Sequence, residues 1–307
     1  MGYHPRIEAP DKVNFLTTRT LHSRLWFVNN QTLEDKILGH VANCANRYGV
    51  KLYALAIEGN HIQGPALFPN GNRASFMRDL NSAIARVVPR ETTHPGGRFW
   101  ARRYSNEFLP GAEDVEEYFF YTVLQPIKDG LVERISDYPG YNCFHDAVWG
   151  VKRKFKVVRW AEYHRALSRG LNPKVADFTE TVYLAYERLP GYEGLSREDY
   201  AHLMMKKLEE RRVQIVKSRH AEGKGFLGTE RLKATAPGAL PKSTKTSTIQ
   251  SHRPRILCIC PHRRREAKAW YFEVYFAYKD ASERYRAGKK VLFPLGTYPP
   301  HLPTKLH

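Results

Sequence analysis

ALAIEGNHIQGPALF, residues 54–68, and EYFFYTVLQPIKDGLVERISDYPGY, residues 117–141, decide how this chain of 307 residues is read. In the first stretch Gly59-Asn60 makes a turn between two apolar runs. His61 and Gln63, two apart on the strand that follows, therefore point to one side of a sheet, while Ile62 points the other way, into a core. The second stretch reads as a helix that stops at Pro126. Tyr121 and Gln125, four apart, project from one face of it, one turn from each other.

Outward from these two stretches the first 125 residues alternate regularly. VNFLTTRT from Val13 reads as a strand. TLEDKILGHVANCANRYG reads as a helix entered through Thr32, with Asp35 at the capping-box position, and KLYALAI from Lys51 as a second strand. HIQGPALF is a third strand, followed by a helix around ASFMRDLNSAIARVV, a strand around RFWARRYSNEF and the Tyr121 helix. Arg24 to Val28 reads as an added strand near the start. The order β-α-β-β-α-β plus a further helix predicts an α+β fold, a ferredoxin-like antiparallel sheet with helices on one face. A basic, mainly helical C-terminal extension follows: a charged helix from Arg197 to Arg219 capped by Ser196, a linker over 234–254, a helix from about Arg265 to Arg286, and a Pro-rich tail. The expected organisation is a first domain over 1–150, a basic helical region over 151–233, the linker, and an extension over 255–307.

The formal net charge is +18, and it is unevenly placed. Residues 1–150 hold 16 Lys and Arg against 16 Asp and Glu, whereas residues 151–307 hold 33 against 15, which is the whole excess. Basic residues interleaved with aromatic ones in VKRKFKVVRWAEYHR, residues 151–165, suit a polyanion with stackable bases better than a membrane surface. Arg153, Lys154, Lys156 and Arg159 are the candidate phosphate contacts and Trp160 the candidate stacking residue. No apolar run approaches a bilayer-spanning length of roughly 20 residues. The four scattered cysteines suit a reducing compartment, so a cytoplasmic location is expected. Cys258, Cys260 and His262 hint at zinc, but RILCICP alternates as a strand does, and that reading is preferred.

Breaking a phosphodiester with a tyrosine requires a nucleophile in line with phosphorus, a cation for the developing negative charge, and a leaving group free to depart. Tyr121 supplies the first. The imidazole of His61 and the side-chain carbonyls of Gln63 and Gln125 suit Mg²⁺ or Mn²⁺, with waters and the scissile phosphate filling the remaining positions. Singly, each has an ordinary reading: a structural His after a turn, a core aromatic within YFFY, a glutamine capping a helix end. Two motifs some sixty residues apart, in order and each with ligand-compatible spacing, favour the chemical one. Tyr118 is the competing nucleophile, but only Tyr121 has the four-residue spacing to Gln125.

Together with FMRDLNSAIAR and GRFWARRYSNEF between them, these motifs resemble the HUH-type single-tyrosine transposases, and within them the REP-associated tyrosine transposases. EGNHIQGPALF stands where that family has a turn followed by His-hydrophobic-His. YTVLQPIKDGLVERISDYP matches the later Tyr-Ile-x-x-Asn-Pro-Val-x-x-Gly-Leu-Val and Asp-Tyr-Pro pattern, with Gln125 at a place that is Asn or Gln in members. The resemblance covers about residues 10 to 145. It implies a DNA transposase or transposase-derived endonuclease that binds single-stranded or hairpin DNA as a monomer or homodimer. Such a protein cleaves one strand through a 5′-phosphotyrosine at Tyr121 and rejoins ends without ATP. One departure stands out: Gln63 replaces the second His. Its carbonyl still ligates a hard cation but binds transition metals less strongly than imidazole. Retained activity is expected; the alternative is a domesticated, catalytically silent hairpin-binding protein. An RNA-binding module is a third possibility, because stacking surfaces do not by themselves separate RNA from DNA.

Overall fold

The computed structural model describes residues 5–241 and 255–301. Its main sheet is built around β1 (Val13–Arg19), which reads as a strand because Phe15 and Leu16 are apolar on both faces. The chain then forms α1 (Gln31–Tyr48), β2 (Lys51–Leu52), β3 (Ala56–Glu58), β4 (His61–Leu67), α2 (Arg73–Glu91) and β5 (Ser105–Leu109). β4 and β5 flank β1 antiparallel, β2 and β3 both pair with the outer edge of β4, and the short β8 (Arg255–Ile256) joins β5 in parallel. This is the expected α+β, ferredoxin-like order. Asn30 rather than Thr32 caps α1, its side chain accepting from Leu33 N at 2.9 Å. The 24–28 segment is not a strand. His22 and Ser23 take positive φ and turn the chain, leaving Leu25 with an isolated bridge to Ala239.

The strand expected over 51–57 is split in two, and Gly64 is the reason. A Cβ at that position would sit 2.2 Å from the carbonyl oxygen of Ala54, so the 53–55 backbone lies directly on the glycine instead of continuing the ladder. The strand expected from Arg98 is regular only from Ser105, where its pairing with Thr17 begins; Trp100 keeps one isolated bridge to Thr20.

Alternation assigns the two faces of the sheet. Leu16, Ile62 and Ala66 face Val41 of α1 and Phe76, Met77, Leu80 and Ile84 of α2, all lining one small gap in the core. Phe15, on the opposite face, meets Tyr118 and Tyr121 of the next helix, α3 (Ala112–Val123). The crossover helices thus share one face, as the plan requires, and the added tyrosine helix covers the other.

α3 does not run straight to Pro126. Leu124 leaves helical geometry at φ −93°, ψ 2°, and α4 (Gln125–Lys128) restarts with Pro126 in its first turn, where a missing N–H costs nothing.

Beyond α5 (Phe144–Trp149) the region expected to be helical opens instead with an antiparallel pair, β6 (Arg153–Val158) and β7 (Thr179–Leu184), with α6 (Trp160–Ser168) between them. Phe155 and Val157 lie against Gly39 of α1 at 3.4 Å from where its Cβ would be, so the pair closes over the outer side of α1. α7 (Arg197–Ala221) begins at Ser196, whose Oγ accepts from Asp199 N as expected. Val182, Leu184, Leu189, Tyr200 and Met204 belong to the same apolar core as the sheet, so the core runs on past Gly150. α8 (Thr229–Lys233) and α9 (Pro261–Arg286) complete the described helices. α9 and β8 build a small second core with Ile7, Ala9 and Phe108. Residues 242–254 of the expected linker, and the last residues of the tail, lie outside the described residues.

Candidate active site

The strand half of the site is set by a two-residue turn. Glu58 pairs directly with His61 across Gly59-Asn60, and Ala56 with Gln63, so Glu58, His61 and Gln63 all present side chains to the α3 face. Each is at most 5% exposed. Asn60 orients the imidazole: its Nδ2 donates to Ser23 O at 3.0 Å, which turns its Oδ1 to the His61 Nδ1 at 2.8 Å. Nδ1–H then donates, and the Nε2 lone pair is free to bind a cation. Nε2 lies 3.8 Å from Glu58 Oε2. Burial pushes His61 down to about 3, helped by the nearby Arg19 charge, and the ring is neutral at ordinary pH. Burial pushes Glu58 up to about 8, with the Asp129 charge adding to it.

The helix half rests on the neighbouring strand. The Tyr121 ring meets Phe15 edge-on at 5.7 Å, and Phe15 pairs with Pro65, one alternation from the Thr17–Gln63 pair. Tyr121 is thereby laid over the strands that carry Gln63. Gln125, 8% exposed, reaches back to it across the helix break. Its Nε2 donates to Asp129 Oδ2 at 3.1 Å. Burial raises the Tyr121 pKa, with Asp129, Glu58 and Glu107 adding to it, and the neighbouring Gln125 amide opposes the rise. Tyr118 is pushed up to about 12 by burial first and Glu107 second. Lys128 Nζ stands 4.2 Å above the centre of the Tyr121 ring.

Tyr121, Gln125, His61 and Gln63 are therefore brought to one face, between β4 and α3. Three buried polar atoms there have no hydrogen-bond partner: Glu58 Oε1, Gln63 Nε2 and Gln125 Oε1. A buried polar group without a partner is costly, and three together suit a bound hard cation, with Gln63 presenting its oxygen after a half-turn of the amide. Among the described residues no three His, Cys, Asp or Glu side chains gather, because half of this donor set is amide.

Sequence reading missed four neighbours: Glu58, Asn60, Lys128 and Asp129. The turn at Gly59-Asn60 carried the signal for the first, since a two-residue turn places its flanking residues opposite each other.

The candidate DNA contacts lie elsewhere. Lys154 and Lys156 alternate outward on β6, opposite Tyr183 and Thr181 of β7, and Trp160 is 43% exposed with its ring stacked near His164. Arg153 instead turns to the buried carboxylate of Asp146 at 2.5 Å and lies over the Tyr141 ring. Arg159 is matched by Glu162 and Glu180. This whole unit packs on α1, two layers from Tyr121, so the five are not joined to the tyrosine site. Two cations do adjoin that site: Arg19, paired across the ladder with His61, and Lys128 over the Tyr121 ring.

No protein-family model matches the chain, and no curated protein matches it. Solved structures do. One is a REP-associated tyrosine transposase bound to a REP hairpin, at 16% identity and a TM-score of 0.39, covering 56% of this chain and 89% of that one. Another is a protein of Deinococcus radiodurans R1 provisionally assigned as a transposase, at 19% identity and a TM-score of 0.28, covering 36% of this chain and 91% of that one.

Proposed function

We propose that the chain is a DNA-processing enzyme that binds hairpin or single-stranded DNA and cleaves one strand through Tyr121, forming a 5′-phosphotyrosine and a free 3′-OH. The observation that carries this reading is the convergence of Tyr121, Gln125, His61 and Gln63 on one face, around three buried polar atoms without partners. His61, Gln63 and Gln125 would hold Mg²⁺ or Mn²⁺, whose charge would offset that developing on the scissile phosphate. Asn60 keeps His61 in the tautomer that offers Nε2. The Tyr121 hydroxyl must lose its proton against the effect of burial, and the neighbouring Gln125 amide favours the phenolate. The edge-on contact with Phe15 restrains the Tyr121 ring. Arg19 and Lys128 would meet the phosphates flanking the cut, and Lys154, Lys156 and Trp160 would hold a more distant part of the DNA. Rejoining is the reverse attack of the 3′-OH on the phosphotyrosine and needs no external energy source.

Tyr121→Phe removes the attacking oxygen and leaves the Phe15 contact, so nicking of a labelled single-stranded hairpin should vanish while binding persists. A covalent protein-DNA adduct in the Phe variant would transfer the role to Tyr118. Binding by wild type with no nick at any Mg²⁺ or Mn²⁺ concentration would make the chain a silent hairpin-binding protein.

A further inference from the structure

The geometry points to Glu58 as an additional ligand of the divalent cation, supplying the anionic donor that a His-Ile-Gln strand lacks. This rests on the reading of His61, Gln63 and Gln125 as a cation site. Glu58 and His61 are Cα partners of the antiparallel ladder, so their side chains rise together from one face. Glu58 Oε2 is 3.8 Å from His61 Nε2, the ring nitrogen whose lone pair is free, too long for a hydrogen bond. Two adjacent donors each about 2.1–2.2 Å from one octahedral cation are roughly 3 Å apart, so a shift of under an ångström in the two side chains would bring both onto one ion. The other carboxylate oxygen, Oε1, is buried and has no partner, as are Gln63 Nε2 and Gln125 Oε1. All four side chains are more than nine-tenths buried. With the glutamate left out, the protein donors are one imidazole and two amides, all neutral. With it included, they form an oxygen-rich, singly anionic set of the kind Mg²⁺ and Mn²⁺ prefer. Asp129, bonded to Gln125, adds a second negative charge behind that set.

The test is Mn²⁺ binding to the full chain without DNA, read by calorimetry and by the loss of the free-ion paramagnetic resonance signal. Wild type, Glu58→Gln, Glu58→Asp and His61→Ala are compared, with thermal melting in EDTA as the folding control. Glu58→Gln should weaken Mn²⁺ at least tenfold, and Glu58→Asp, which keeps the charge on a shorter arm, should recover part of the loss. If Glu58→Gln binds as wild type does while His61→Ala has lost binding, Glu58 is not a ligand and the proposed cation site stands without it. No Mn²⁺ binding by wild type overturns both. Should Glu58→Gln fail to fold, Glu58→Asp decides: affinity equal to that of wild type overturns the assignment.

Discussion

Replacing Arg153 by Ala should cost stability and leave DNA recognition largely in place, the opposite of what its position in a basic run suggests. Asp146 on α5 is 2% exposed and accepts from Arg153 Nε at 2.5 Å and from the Tyr141 hydroxyl at 2.8 Å. The Tyr141 oxygen in turn lies 2.9 Å from that of Tyr186, which follows β7. Removing the guanidinium leaves a buried carboxylate with a single hydroxyl donor. Breaking a fully buried ion pair costs about 3–5 kcal/mol and losing a hydrogen bond to a charged group about 1.5–3 kcal/mol. The Arg153 side chain is 48% exposed, which puts the loss near the lower figure, about 2 kcal/mol. For a chain of this size that is a drop in melting temperature of roughly 4–8 °C. Lys154→Ala, on the outward side of the same strand, should stay within about 0.5 kcal/mol of wild type and lower the slope of log affinity against log salt by about 0.7–0.9. Urea denaturation followed by tryptophan fluorescence, and hairpin anisotropy at several salt concentrations, give the two quantities. In an Asp146→Asn background the Arg153→Ala cost should largely disappear. An unchanged urea midpoint for Arg153→Ala, or full additivity with Asp146→Asn, would refute the structural role.

Stability in EDTA should peak between about pH 4.5 and 6.5. The depressed His61 pKa removes stability as pH falls from its ordinary value towards about 3, and the raised Glu58 pKa removes it as pH rises from the ordinary carboxylate value through about 8, each limb at up to about 1.4 kcal/mol per pH unit. A melting temperature that climbs steadily from pH 5 to pH 8 contradicts this, and Glu58→Gln should flatten the alkaline limb. Gln63→His should raise affinity for Mn²⁺ more than for Mg²⁺ in metal titrations of nicking, because imidazole favours the transition metal; an equal effect on both removes Gln63 from the ligand set. Gly64→Ala places a carbon 2.2 Å from the Ala54 oxygen, and should destabilise the chain by several kcal/mol or prevent folding, read by circular dichroism. A chain cut after Gly150 loses Val182, Leu184, Leu189, Tyr200 and Met204 from its core and should show no cooperative melt; a sharp transition in that fragment would show that the first 150 residues suffice.

The parts legible in the sequence are those fixed by short-range spacing. The Tyr121–Gln125 pair survives a break in its helix because α4 restarts within one residue of the end of α3, so the four-residue offset still brings the side chains together. His61 and Gln63 point alike because a strand alternates. The split at residues 53–55 depends on a glycine ten residues further on, and the partnership of Arg153 with Asp146 on a fold over α1; neither contact has a local signature. The β6–β7 pair is legible in part, as Lys154 and Lys156 alternating with Phe155 and Val157, but the partner of β6 lies beyond α6 and has no local signature. The charge imbalance does not translate into exposed charge one for one, since some of the C-terminal cations face acids of the first half rather than solvent.

Those cations bear on how the Tyr121 helix is held. Lys207 reaches Glu116 at 2.8 Å, Arg211 pairs with Glu117, and Arg263 reaches Glu113 at 2.8 Å and Asp114 at 3.6 Å, so α7 and α9 grip four acids along the outer side of α3. Handing that helix to a second copy of the chain would break all of these pairs together with the Phe15 contact. The Tyr121 helix is thus tied on both of its sides to elements of its own chain.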